Sequence, residues 1–142
     1  MKTQNTYTVT NSSITQVEIV HDGPEFFLFN FGWNIVSLPL KPTGNRNKTL
    51  IFPSAVSKAF FFDSAYKYAD FLDNGIAYWL KFSSTQNIGI DGDSVASDTI
   101  TLAGGWNMIG TITSPVPTAG VIQQPSNNVV SPYYGFGVTY LP

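Results

Sequence analysis

A chain of 142 residues and 15.5 kDa, 43% of it apolar, can bury a core of its own without disulfide or metal staples. Only 11% of residues are charged, the net charge is −2 and the seven basic residues are scattered, which speaks against a phosphate-tracking surface for nucleic acid. Cysteine is absent, removing disulfides, thiolate nucleophiles and zinc–thiolate sites, and no apolar run reaches the roughly 18 residues of a membrane span.

Few charges with many Thr, Ser, Asn, Gly and Tyr point to a β-rich protein with a neutral polar surface. The opening Met1-Lys2-Thr3-Gln4-Asn5 has no apolar h-region, so a signal peptide is absent or already removed. Tyr7-Thr8-Val9-Thr10 is a short strand candidate, and Ile14 to Val20 alternates with Val17 and Ile19 against Gln16 and Glu18. A turn at His21-Asp22-Gly23-Pro24 leads to an aromatic strand from Glu25 to Phe31, with Phe27 and Phe29 on one face and Phe26 and Leu28 on the other. Trp33 to Leu40 is nearly continuous in apolar character, as expected of a strand covered on both faces, and Pro39 should end it. Lys41 to Lys48 reads as a surface loop, and Leu50 to Lys58 as holding one helical turn that starts at Pro53.

Ala59 to Asp63 and Tyr66 to Phe71 are aromatic strand candidates. The turn Asp73-Asn74-Gly75 introduces a strand from Ile76 to Phe82, continued by Asn87 to Ile90 and closed by the turn Asp91-Gly92-Asp93. Asp98 to Leu102, Val129 to Tyr134 and Val138 to Leu141 complete the strand candidates, with Pro115, Pro117 and Gly120 breaking the chain before a short turn at Val121. No stretch of ten residues keeps a helical period, so the expected fold is all-β with short helical turns only.

One stretch is written twice. Gly32-Trp33-Asn34-Ile35-Val36-Ser37-Leu38-Pro39-Leu40 returns 73 positions later as Gly105-Trp106-Asn107-Met108-Ile109-Gly110-Thr111-Ile112-Thr113. Leu50-x-x-Pro53-Ser54 then matches Ile122-x-x-Pro125-Ser126, Phe61-Phe62 falls on Tyr133-Tyr134, and Tyr68 on Tyr140, all at a displacement of 72. The expected architecture is a two-repeat β-sandwich or barrel-like fold with a pseudo-two-fold axis and one shared core. Residues 1–31 form an N-terminal strand segment outside the repeat, 32–104 the first repeat and 105–142 a shorter second repeat, together one globular domain. Each repeat should open with a buried Trp-led strand. Gly32 and Gly105 should take positive φ angles, and Asn34 and Asn107 should bond to backbone at a corner. The first repeat's Tyr78-Trp79 strand has no counterpart after Tyr140. That leaves a strand position to be filled by the N-terminal strands, by further chain, or by another copy.

These residues resemble a Gly-Trp-Asn repeat domain of bacterial secreted and cell-surface proteins, whose pattern runs GWNLISLPL, then FP, then GxxYWLKF, then a second GWNLIG. Gly32 to Leu40, Phe52-Pro53, Gly75 to Phe82 and Gly105 to Gly110 match it, and the resemblance covers about residues 31–142. It implies export and an adhesive or structural module, and it carries no catalytic residues over.

Signals for chemistry are sparse. His21 sits in a turn, Asp70 and Asp73 flank another, and neither Gly-x-Ser-x-Gly nor a phosphate-binding glycine loop occurs. Asp91, Asp93, Ser94 and Asp98 could offer oxygens to Ca²⁺, but a plain Asp-Gly turn is the better reading, and no cofactor or metal is expected. Asn11-Ser12-Ser13 and Asn47-Lys48-Thr49 match the N-glycosylation sequon. The one functional excess is aromatic, 15% of residues. Tyr66, Tyr68, Tyr78, Tyr133, Tyr134 and Tyr140 could form a flat row that stacks on sugar rings or on a partner.

The expected function is therefore a non-catalytic extracellular structural or adhesive module, a self-assembling filament or surface-layer subunit joined by strand complementation. The alternative is a carbohydrate-binding module using exposed tyrosines. Expected partners are other copies, surface components or polysaccharide, without nucleic acid and without membrane insertion.

Overall fold

The computed structural model describes residues 4–7, 19–136 and 140–141, with side chains from Gly23 to Phe136. The strand expectations over 8–10, 14–18 and 138–139, and the Asn11 sequon, lie outside the described residues. What is described is all-β: short antiparallel strands joined by turns, one helical turn and one 3-10 turn at Thr118–Gly120.

In chain order the strands are β1 Gln4–Tyr7, β2 Ile19–Asp22, β3 Glu25–Phe29, β4 Gly32–Val36 and β5 Leu40–Pro42. Helix α1, Lys48–Ile51, precedes β6 Ala59–Asp63, β7 Ala65–Ala69, β8 Tyr78–Phe82, β9 Gln86–Ile90 and β10 Gly92–Ser94. The chain closes with β11 Gly135–Phe136 and β12 Tyr140–Leu141. The central sheet has the order β4-β8-β6-β7, while β3 pairs with β9, β10 with β5, β1 with β2 and β11 with β12.

Period-two patterning decides which side chains face in. On β8, Tyr78, Leu80 and Phe82 are buried and Trp79 and Lys81 point out; on β3, Phe29 is buried while Phe26 and Leu28 are exposed. The inner face of the central sheet packs against β3 and β9 in a sandwich-like arrangement. Phe29 lies 5.1 Å from Phe82 and 5.4 Å from Phe52, ring centre to ring centre. Val36, Leu38, Leu40, Leu72, Ile88 and Ile90 fill the space around these rings, and the core residues buried among those described are all aliphatic or aromatic.

The Trp33-to-Leu40 run departs from its expected form. It is not one strand covered on both faces: β4 stops at Val36, the chain bends through Pro39, and β5 resumes at Leu40. The bend is pinned by Asn74, whose amide donates to the carbonyls of both Leu38 and Leu40 at 2.8 Å. Trp33 faces outward and is 42% exposed, so the first repeat does not open on a buried Trp. The helical turn forms earlier than Pro53, because the Asn47 side chain caps it by accepting from the Thr49 N–H at 2.9 Å. That use of Asn47 gives its sequon a structural role. Asn87 to Ile90 does not prolong β8 but crosses to pair with β3, and Gly92 and Asp93 belong to a strand rather than a turn. His21 and Asp22 likewise belong to β2, leaving Gly23 and Pro24 as the turn.

The second repeat diverges most. Residues 105–113, 98–102 and 129–134 form no strand, and no described residue after Ile90 is buried. The two repeats therefore do not share one core. The reason is compositional: at repeat-equivalent positions the buried Leu38, Leu40, Phe52 and Ala59 become Thr111, Thr113, Gln124 and Ser131. Side chains that hydrogen-bond cannot supply the apolar area a second sheet needs. The stretch instead docks on the first repeat through polar links. Gly110 N–H donates to the Gly75 carbonyl at 2.8 Å, Ala77 N–H to Met108 at 3.2 Å, and Thr113 Oγ1 to Pro39 at 2.7 Å.

Candidate aromatic site

Antiparallel register assembles the site. Trp33 on β4 stands opposite Lys81 on β8, Ile35 opposite Trp79, Phe60 on β6 opposite both Trp79 and Tyr68, and Phe62 opposite Tyr66 on β7. Because these positions share one face, six aromatic rings cover the outer surface of the central sheet: Trp33, Phe60, Phe62, Tyr66, Tyr68 and Trp79. Tyr66 is 59% and Tyr68 54% exposed, and Phe60, Phe62 and Trp79 are half-buried.

The rings meet edge to face or at a tilt. Trp33 and Trp79 lie 6.4 Å apart at 89°, Phe62 and Tyr66 5.4 Å at 76°, and Trp33 and Phe60 6.3 Å at 57°. Such pairs contribute about 0.5–1.5 kcal/mol each beyond their buried area. The Lys58 ammonium sits 3.6 Å above the Tyr68 ring and that of Lys81 5.9 Å from Trp33, so cations occupy two ring faces. A cleft of about 400 Å³ opens among Trp33, Phe60, Tyr66, Trp79 and Phe136. Phe136, on the far C-terminal β11, closes its end with its ring centre 4.7 Å from Trp79 at 78°.

The expected tyrosine row is thus divided. Tyr66 and Tyr68 share the outer face, whereas Tyr78 is 1% exposed and belongs to the core, its hydroxyl accepting from the Asp73 N–H at 3.0 Å. Burial pushes the Tyr78 phenol above its ordinary value. Tyr134 stands apart against Trp106, 6.0 Å between ring centres, with Tyr133 half-buried beside it. Tyr140 pairs with Phe136 through its backbone, and its side chain lies outside the described residues. The period of two could have found Phe60 and Phe62 in the sequence; Phe136 carries no local signal.

The two Gly-Trp-Asn corners match atom for atom in their bonding. Gly32 has φ +91° and Gly105 φ +93°, both in the region that favours glycine. Asn34 Oδ1 accepts from the Asn30 N–H at 3.0 Å, and its amide donates to the carbonyls of Asn30 at 2.8 Å and Gly32 at 3.1 Å. Asn107 makes the same three bonds with Ala103 and Gly105, at 3.0, 2.9 and 3.0 Å. Each corner throws its Trp outward. Trp106 is 65% exposed, so the second repeat does not open on a buried Trp either.

Among the candidate chemical groups, Asp73 pairs with Arg46 at the surface, and the His21 side chain lies outside the described residues. Asp91, Asp93 and Asp98 do not join a third acid or histidine into a metal-binding group among the described residues. Among the described residues no helix is long and apolar enough to cross a membrane. Comparison with protein-family models, curated proteins and solved structures finds no match for this chain.

Proposed function

We propose that this chain is a non-catalytic structural or adhesive module of secreted or cell-surface assemblies, and that copies of it meet through the aromatic face of the central sheet. The observation that supports this most is six rings on one sheet face, three of them substantially open to water. An apolar face of that extent marks an interaction surface rather than ordinary solvent-facing sheet. The angles between rings, 57° to 89°, suit interdigitation with another set of side chains. They do not suit a flat platform for a sugar ring, and Lys58 already covers one face of Tyr68. A net charge of −2 puts little repulsion between copies. The Gly-Trp-Asn resemblance points the same way, towards exported bacterial modules built by internal duplication.

Light scattering on a sizing column, from dilute to concentrated protein, with electron microscopy of the large fraction, tests the reading. Concentration-dependent oligomers or filaments that Trp33→Ala and Tyr66→Ala weaken are expected. A monodisperse monomer throughout would overturn it. Glycan binding lost on Tyr66→Ala and Tyr68→Ala would replace it with the carbohydrate-binding alternative.

A further inference from the structure

Resting on that reading, we infer that the aromatic cleft is a socket for the C-terminal segment carrying Phe136, and that in the assembled protein the segment of one copy fills the socket of the next. The structure already seats Phe136 there within one chain. Phe136 and Trp79 form the closest ring pair among the described residues, and β11 lies beside β4 at the sheet edge.

What leads to the segment is a loose tether. Thr113 is the last firm anchor, its hydroxyl donating to Pro39 and its N–H to Val95 at 3.2 Å. Between residues 114 and 134 the hydrogen bonds are local ones, such as Val129 N–H to Gln123 Oε1 at 3.1 Å. None of these residues is buried; Ile122 is 88% and Val130 96% exposed, and Tyr134 packs its ring on the exposed Trp106. From Thr113 to Gly135 the chain can reach at most about 75 Å when extended, at ~3.4 Å per residue.

A segment seated at the end of such a tether makes the same contacts in its own socket or in a neighbour's. Exchange therefore costs no contact, and only the effective concentration of the tethered segment opposes it. Socket and segment are different parts of the surface, so exchange is head-to-tail and need not close. Growing chains of subunits follow, joined by a donated strand.

Complementation between two crippled copies tests this. Phe136→Ala removes the donor and keeps the socket; Trp79→Ala removes the socket and keeps the donor. Each alone should stay monomeric, and an equimolar mixture should give a species of twice the 15.5 kDa chain mass and no larger. Should Trp79→Ala not fold by circular dichroism, a synthetic peptide of residues 132–142 added in excess to the wild type replaces it. The peptide should shorten the assemblies, and the same peptide with Phe136→Ala should not. A mixture that stays monomeric, a peptide without effect, or unimpaired assembly of Phe136→Ala while the wild type assembles would overturn the exchange and leave assembly through the aromatic face standing. A wild type that never assembles would overturn both.

Discussion

Replacing Asn34 and Asn107 by alanine, one at a time, separates the repeat that holds the fold from the repeat that rides on it. Each side chain makes the same three hydrogen bonds within 0.1 Å of one another. At about 1 kcal/mol net per bond, less where water can substitute, the local loss is about 2–3 kcal/mol at either site. The corner at Asn34 joins β3 to β4, strands on opposite sides of the core, so its loss should lower the global unfolding free energy by that whole amount. The corner at Asn107 joins residues that contribute nothing to the core, so its loss should change the global value by less than about 0.5 kcal/mol, the cost staying in local opening. In thermal unfolding followed by circular dichroism, roughly 3–4 °C per kcal/mol gives about 6–12 °C for Asn34→Ala and at most about 2 °C for Asn107→Ala. Equal falls at both sites would refute the placement of the core, and a fall of under about 1 kcal/mol at Asn34 would refute the weight given to the corner.

Phe82→Ala should remove about 3–5 kcal/mol, because its ring packs on both Phe29 and Phe52, and denaturant unfolding reads the loss directly. Tyr78, protonated and held above its ordinary value by burial, contributes stability that is full below the unfolded-state value near 10 and is lost as the pH rises through the raised folded-state value. Wild type should therefore lose stability above about pH 10 faster than Tyr78→Phe, and parallel pH profiles would contradict this. Gly110→Ala would bring a methyl to 3.0 Å from Ser37 Cβ and 3.1 Å from the backbone at Gly75 and Ile76. Hydrogen exchange should then show the Ala77 and Gly110 amides losing protection by about 1–3 kcal/mol, with Leu80 and Phe82 unchanged.

Much of the first repeat is legible in the sequence. Alternation in Glu25–Phe29 and Tyr78–Phe82 gives the strands and their buried faces, and the paired Gly-Trp-Asn gives the corner, its glycine conformation and the bonding of its asparagine. Three features are not legible. The break at Pro39 depends on Asn74, 35 residues away, reaching two carbonyls. The outward turn of Trp33 depends on which face of β4 meets β3 and β9, and an apolar run does not say. The failure of the second repeat to form a sheet depends on four apolar-to-polar replacements at positions that count only once the first repeat's core is known. The aromatic face is half legible. Tyr66 and Tyr68 read as amphipathic strand residues, but register alone brings Trp33, Trp79 and Phe60 onto their face, and only the fold brings Phe136.

Oxidative footprinting of dilute and concentrated protein tests the assembly surface most directly, because it reports individual rings on both outer faces of the fold. Contact through the aromatic face predicts that Trp33, Tyr66 and Tyr68 become protected as concentration rises, while Phe26 and Leu28 on the opposite sheet keep their reactivity. Protection of Phe26 and Leu28, with Trp33, Tyr66 and Tyr68 unchanged, would contradict it.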